Sequence, residues 1–256
     1  MNLLIDIGNS FTHFAVFNGI KIIKQKHCPT GSLKELLTTL KYYSNDVKIS
    51  GIGISSVVPK VEKTLSKTIR NIFKINPLTV NYKSKLPIKL KVKYPFTVGA
   101  DRICNAVFGY LSQNKKTNVL VIDLGTANTY DLILKNGDFI GGIIAPGIMT
   151  SSKALKVQTA ALPFIGYNKL KPNTPLIGKF TEEAIRSGLI NYMKFATEGI
   201  VNAVRKQYSG KLTVILTGGS SFLLKNNVNF KYIYRENTVL EGLNFILNYQ
   251  KNNSFY

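Results

Sequence analysis

Two aspartates stand at the ends of apolar strands, and each is followed by a glycine two residues later. Asp6 ends the apolar run of LLIDIGNS, and Asp123 ends that of VLVIDLGT. A glycine lets the backbone curl tightly, so that successive N–H groups can point at phosphate oxygens. An aspartate repels phosphate unless a cation or a water lies between them, so the pattern predicts phosphate bound with a metal. The alternative is a pair of plain hairpin turns with turn carboxylates.

A third aspartate, Asp101, lies in the apolar segment GADRICNAVFGYL. Ile103, Val107 and Leu111 recur at helical spacing and predict a helix that begins just after Gly99. Asp101 then falls in the first helical turn. There it can act as a general base that accepts a hydroxyl proton during phosphoryl transfer, or it can be an acid favoured by the helix dipole.

The elements that must position these aspartates form an internal repeat. When LLIDIGNSFTHFAVF is placed above VIDLGTANTYDLIL from Val121, Asp6 falls on Asp123, which lies 117 residues later and close to half a chain length away. The same alignment puts Thr12 on Thr129. A repeat at this spacing predicts two similar α/β domains, 1–116 and 117–256, that face each other across a cleft.

The remaining elements fit an α/β chain. Asn136-Gly137 between apolar runs predicts a hairpin turn, and the segment Lys83–Lys93 predicts an exposed strand. A long helix is predicted from Thr181, with Thr181 as the N-cap and two acids in its first turn. The apolar run from Leu212 predicts a strand that ends at the glycine pair 218–219.

Composition narrows the function classes. The chain has 34 Lys+Arg against 13 Asp+Glu, a formal charge of +21, but the lysines are scattered, which favours compositional drift over a nucleic-acid site. Two separate cysteines, no signal peptide and no bilayer-length apolar run predict a cytoplasmic protein that binds neither nucleic acid nor membrane. The P-loop and Rossmann glycine motifs are absent from the sequence.

Five motifs in order, DIGNS (6–10), VGADR (98–102), DLGTANT (123–129), GGIIAPG (141–147) and TGG (217–219), resemble those of type III pantothenate kinases. That family belongs to the acetate kinase/sugar kinase/Hsp70/actin superfamily. The resemblance implies two duplicated actin-like (ribonuclease H-like) domains. It also implies ATP-dependent phosphorylation of pantothenate to 4'-phosphopantothenate, the first step of coenzyme A biosynthesis. The family is expected to form a homodimer, with the pantothenate site near the interface.

The resemblance assigns roles by motif. Asp101 is the catalytic base, Asp6 is nearest Mg2+, directly or through water, and Asp123 binds a monovalent cation, K+ or NH4+. The expected ATP-binding residues are Asp6, Ile7, Gly8, Asn9, Ser10, Phe11, Thr12, His13 and Thr126. The expected pantothenate-binding residues are Gly99, Ala100, Asp101, Arg102 and Thr181.

The sequence departs from the family pattern before VGADR. The family tyrosine position is occupied by Val92, and Tyr94-Pro95 stands at the family Asn-Pro site. Val92 and Tyr94 are therefore the candidates for the wall of the substrate pocket. A second function class stays open: a catalytically decayed, actin-like ATP-binding regulatory protein. Retention of all three aspartates favours the kinase.

Overall fold

A computed structural model describes residues 1–46 and 48–252. Contacts divide the chain into two compact units. The first contains Met1–Lys115, Asn136–Ile140 and the C-terminal segment from Asn237, and the second contains Lys116–Lys135 and Gly141–Glu236. The chain passes from the first unit to the second near residue 116, close to the predicted domain boundary. The C-terminal helix, in contrast, belongs to the first unit. The predicted domains 1–116 and 117–256, and their arrangement across a cleft, stay predictions.

The first unit is built on a five-stranded sheet of order β3-β2-β1-β4-β5, in which β1 runs antiparallel to β2 and parallel to β4. Its elements are β1 (Asn2–Ile7), β2 (Phe11–Phe17), β3 (Ile22–Pro29), α1 (Leu33–Asp46), β4 (Gly51–Ser56), α2 (Pro59–Phe73), β5 (Leu78–Thr79), β6 (Lys89–Leu90), α3 (Ala100–Ser112) and the C-terminal helix.

Both faces of this sheet are covered, which explains why β1 is almost continuously apolar. Alternate residues of β1, Leu3 and Ile5 among them, pack in a core with side chains of α1 and α2, such as Leu40 and Leu65. The C-terminal helix packs against β1, β4 and α3. Its contact with β4 is close, because a Cβ on Gly53 would lie 3.0 Å from Leu243 Cγ.

The second unit has a sheet of order β11-β10-β7-β8-β9. Its elements are β7 (Asn118–Leu124), β8 (Ala127–Ile133), β9 (Asp138–Pro146), α4 (Ile148–Gln158), α5 (Thr181–Gln207), β10 (Leu212–Thr217) and β11 (Ile233–Tyr234), followed by α6 (Thr238–Asn252), the C-terminal helix of the first unit. The first residues of β9 belong to the first unit, where Lys89 of β6 pairs with Asp138. None of the helices described in residues 1–46 and 48–252 is long and apolar enough to cross a bilayer.

The two sheets repeat the same arrangement, which confirms the predicted duplication. In each, a hairpin carries the aspartate, and the aspartate strand has a parallel partner on its other side, β4 for β1 and β10 for β7. The strands β2 and β8 also have identical burial patterns, starting at Phe11 and Ala127.

The gap-free alignment is wrong after the turn, because the second turn is one residue shorter. In the first hairpin Asp6 pairs with His13, seven residues later, whereas Asp123 pairs with Thr129, six residues later. Thr12 therefore corresponds to Asn128 and not to Thr129.

The helix predictions hold except for one cap. Helix α3 begins at Ala100 with Gly99 as its N-cap, as predicted. Helix α5 begins at Thr181, but Thr181 is its first helical residue and Phe180 is the N-cap, without a side-chain cap. The Glu183 carboxylate instead accepts a hydrogen bond from the Lys179 N–H at 2.7 Å, which satisfies one amide at the helix start. The predicted strand 83–93 is shorter in the structure and spans Lys89–Leu90, because only these residues and their immediate neighbours pair with β9.

Candidate active site

The turn after Asp6 is closed by its own backbone and held from outside by Thr30. The Gly8 N–H donates to the Phe11 carbonyl at 3.1 Å. The Thr30 hydroxyl donates to the Gly8 carbonyl at 2.8 Å, and the Thr30 N–H donates to the Ser10 carbonyl at 3.0 Å. Thr30 thus fixes both sides of the turn. Sequence reasoning missed it, since the contact depends on the pairing of β2 with β3.

Thr12 is the second support of this turn. It is fully buried, and its hydroxyl lies 3.0 Å from the Thr30 hydroxyl. Since the single hydroxyl proton of Thr30 is donated to Gly8, Thr12 donates to Thr30. The side chains of Asn9 and Ser10 are exposed, so the turn presents polar groups to solvent while its base is locked.

His13 is the last residue of the expected ATP phosphate loop, and it is the Cα partner of His27 in the ladder between β2 and β3. The two rings lie 5.6 Å apart. Burial lowers the pKa of His13, and the neighbouring His27 lowers it further, so His13 is neutral at pH 7. A neutral imidazole adds no positive charge to the expected phosphate loop.

Asp6 has a buried partner on the neighbouring strand. Ser55 is its Cα partner in the parallel ladder, and the Ser55 hydroxyl donates to Asp6 Oδ1 at 3.0 Å. Cys104 of α3 is fully buried and shares a hydrogen bond with Ser55, and the negative charges of Asp6 and Asp101 both raise the pKa of its thiol. The first unit therefore brings Asp6 and Asp101 into one electrostatic environment.

Asp101 lies in the first turn of α3 and folds back over the helix start. Its Oδ1 accepts the Arg102 N–H at 2.8 Å, and a Cβ on Gly99 would collide with the same oxygen, so glycine leaves room for the carboxylate. Burial raises the pKa of Asp101, and the Arg102 N–H and guanidinium offset part of that rise. Burial thus raises the proton affinity of the carboxylate, which makes ionised Asp101 a stronger proton acceptor. Ala100 is buried beside it, and the Arg102 guanidinium lies 5.7 Å from the Phe139 ring centre.

In the second unit, Asp123 is packed against the TGG segment. Gly218 has φ +93°, and a Cβ there would collide with Asp123 Oδ1 and with the backbone of Leu124. The Ser220 N–H donates to the Leu124 carbonyl at 2.8 Å. The glycine thus serves both the turn and the close approach to the carboxylate.

The turn after Asp123 is held by the GGIIAPG segment. The Thr126 carbonyl accepts the Gly147 N–H at 3.0 Å and the Thr150 hydroxyl at 2.6 Å, and a Cβ on Gly147 would collide with the Gly125 carbonyl. Thr126 itself is exposed. Its carbonyl is occupied by the two donors from the GGIIAPG segment and the helix that follows it.

The candidates for the substrate pocket differ in exposure. Val92 is half-buried, whereas Tyr94 is exposed and lies 5.8 Å, ring centre to ring centre, from the exposed Phe96. Thr181 is exposed at the start of α5. In residues 1–46 and 48–252, no three His, Cys, Asp or Glu side chains form a cluster suited to a metal ion.

The family profile of type III pantothenate kinase matches residues 2–203. The chain belongs to this family. A type III pantothenate kinase from Finegoldia magna is 35% identical over 264 residues, covering 98% of each chain. Relatives of the same name from Kosmotoga olearia and Sulfurihydrogenibium sp. are 34% and 31% identical, covering 95% and 97% of this chain and 94% and 100% of their own. These matches confirm the resemblance.

Solved structures show that the type III pantothenate kinase chain has an actin-like fold. A ROK hexokinase from Thermus thermophilus matches with a TM-score of 0.54 and 11% identity, and a Campylobacter jejuni protein assigned to the Baf family matches with 0.60 and 21%. Both matches cover 98% of this chain and 99% of the other. The predicted fold class, α/β with duplicated actin-like units, is confirmed.

Proposed function

We propose that this protein transfers the γ-phosphoryl group of ATP to the primary hydroxyl of pantothenate, giving 4'-phosphopantothenate. The observation that carries the proposal is Asp101, a partly buried carboxylate in the first turn of α3, inside the family motif VGADR. A catalytically decayed regulatory protein would have little reason to keep a carboxylate whose burial costs free energy.

Asp101 acts as the general base. It accepts the pantothenate hydroxyl proton as the oxygen attacks the γ-phosphorus, and the bond from phosphorus to the leaving ADP oxygen breaks. Arg102, beside it, binds the carboxylate of pantothenate. Gly99 and Ala100 allow close approach of the substrate to the helix start. Thr181, Val92 and Tyr94 complete the substrate site in this proposal.

ATP is bound through its phosphates by the turn residues 6–13 and is contacted by Thr126. Kinase chemistry of this family needs a divalent metal, which neutralises phosphate charge when bound, and we assign it to Mg2+. The donor set fits, because Mg2+ is usually held by one or two carboxylates together with substrate phosphates. Asp6 supplies such a carboxylate, and the Ser55 hydroxyl donates to its Oδ1.

Asp123 holds the monovalent cation, K+ or NH4+. One carboxylate near backbone carbonyls is a low-charge oxygen site, and it suits a weakly hydrated ion better than Mg2+. Asp123 lies close to the turn that carries the Gly125 carbonyl. The cytoplasmic location and the lack of nucleic-acid partners stay predictions from composition.

The protein forms a homodimer in this proposal. Helix α5 presents Tyr192, 77% exposed, and Phe195, 52% exposed, three residues apart and so on one helix face. Ile177 and Phe180 just before the helix are exposed as well. Apolar patches of this kind mark protein interfaces, and a second copy is the partner that the family resemblance implies. Light scattering should give twice the chain mass, and Tyr192→Glu with Phe195→Glu should reduce it to one.

The test of function is ADP release by the purified protein with Mg2+ and K+, with and without pantothenate, and mass detection of 4'-phosphopantothenate. We expect ADP release that depends on pantothenate. ATP binding without any pantothenate-dependent turnover would support the regulatory alternative instead.

A further inference from the structure

Ser55 lies behind Asp6 and belongs to none of the five motifs. Its side chain is fully buried, and its hydroxyl lies 3.0 Å from Asp6 Oδ1. Residues 6 and 55 are Cα partners in the ladder between β1 and β4, so the sheet register fixes this contact. An ionised carboxylate only accepts hydrogen bonds, and therefore the Ser55 proton points at Asp6.

Cys104 stands behind Ser55. Burial is the main cause that raises the pKa of its thiol well above the usual value, and the charges of Asp6 and Asp101 raise it further, so the thiol is protonated. Cys104 and Ser55 also share a side-chain hydrogen bond, which offsets part of this rise in the thiol pKa. Ser55 therefore contacts both the Asp6 carboxylate and the Cys104 side chain.

We propose that Ser55, backed by Cys104, is a positioning residue that orients the Asp6 carboxylate for the metal–ATP complex. The hydrogen bond to Oδ1 limits rotation of the Asp6 carboxylate and so helps to hold it in the orientation in which it faces a phosphate-bound divalent ion. This inference rests on the proposed function only in taking Asp6 as the metal-facing carboxylate. Neither Ser55 nor Cys104 contacts a reacting atom.

The duplicated unit has a hydroxyl residue at the same ladder position. The ladder partner of Asp123 on β10 is Thr217, which is also buried and also bears a hydroxyl. A hydroxyl residue thus stands beside the strand-end aspartate in both units. The Thr217 hydroxyl donates to the Glu236 carbonyl at 3.5 Å, so the second unit repeats the residue type and its position beside the aspartate.

The first experiment compares ATP binding by calorimetry in EDTA and in excess MgCl2, and Mn2+ binding to the ATP-bound protein by electron paramagnetic resonance. Ser55→Ala should leave ATP affinity in EDTA unchanged. It should weaken Mn2+ binding by about 10- to 100-fold, as expected for a lost hydrogen bond to a charged group. Ser56→Ala is the matched control, because the Ser56 hydroxyl instead accepts the Val58 N–H at 3.1 Å.

Cys104 provides the second arm and covers the case in which Ser55→Ala does not fold. Cys104→Ser keeps a hydrogen-bonding side chain beside Ser55 and should retain Mn2+ affinity, whereas Cys104→Ala removes it and should lower the affinity. An equal loss of ATP affinity with and without metal, or unchanged Mn2+ binding in Ser55→Ala and Cys104→Ala, would overturn the proposal. Pantothenate is absent from these assays, so failure here is distinct from failure of the proposed kinase activity, which wild-type turnover decides.

Discussion

Replacing Asp101 by asparagine separates base catalysis from a helix-cap role. The amide oxygen can still accept the Arg102 N–H that Asp101 Oδ1 accepts at 2.8 Å, so the helix start is preserved. What is lost is the group that accepts a proton. Removing a positioned general base costs about 10²- to 10⁴-fold in rate, and the middle of that range is about 4 kcal/mol of barrier. We expect kcat to fall by this amount while ATP affinity stays unchanged.

The same variant is expected to gain thermal stability although it loses activity. The folded pKa of Asp101 is raised, so its contribution to stability is fully present below the unfolded pKa and is lost as pH rises through the folded value. At pH 7 the ionised group therefore disfavours the folded state, and Asp101→Asn should raise the melting temperature. Glu62→Gln, which removes the first-turn acid of α2, is the matched control and should lower it slightly.

The assays are steady-state kinetics with pantothenate and ATP varied separately, and calorimetric melting at pH 7. A variant with near wild-type kcat would refute the assignment of Asp101 as base and reduce it to a structural acid. A variant that is inactive and also melts lower would show that the carboxylate supports the fold, and the argument from burial would then fail.

Four further outcomes are expected. Only ionised Asp101 accepts a proton, and burial raises its pKa. The pH at which kcat/KM falls on the acid side should therefore lie above the ordinary aspartate pKa of about 3.9. A fall at or below that pH contradicts the role of Asp101 as base. Wild-type activity should require K+ or NH4+ in a Na+ background, and Asp123→Ala should weaken ATP use and flatten the K+ dependence; full activity in Na+ alone removes the ion role. Gly218→Ala should destabilise the fold by about 1–3 kcal/mol in urea unfolding, because its φ of +93° and its contact with the Asp123 carboxylate exclude a Cβ, whereas Gly219→Ala, where a Cβ meets nothing within 4 Å, should be nearly neutral. Binding of DNA or RNA, measured by fluorescence anisotropy, should be weak and disappear with added salt; tight binding at physiological salt would contradict compositional drift.

The sequence reveals the elements that carry local patterns. The repeat identifies both aspartate hairpins, and the spacing of apolar residues identifies α3 with its start after Gly99. The repeat fails where a turn length changes, because one residue removed from the second turn shifts every later residue in the alignment while leaving the pattern of buried and exposed positions intact.

The residues that hold the site in place could not be predicted from the sequence. Thr30 contacts Gly8 across 22 positions, and Ser55 contacts Asp6 across 49. Such pairs depend on which strands are neighbours and in which register, and no local pattern encodes either. The Thr181 cap failed for a different, local reason: propensity marks threonine as a cap, but Phe180 is the N-cap, and the Glu183 carboxylate accepts the Lys179 N–H.

The position of the C-terminal helix has a consequence for synthesis on the ribosome. The second unit is complete once Glu236 has been made, whereas the first unit still lacks α6, whose Leu243 packs near Gly53. The 125 residues between Ser112 and Thr238 take roughly 6–25 s to translate at ordinary elongation rates. During that time one apolar face of the β1–β4 pair has no cover from its own helix. The half of the chain that is translated first is therefore finished last, and a ribosome that stops a few turns short releases a protein with an intact second unit and an incomplete first one.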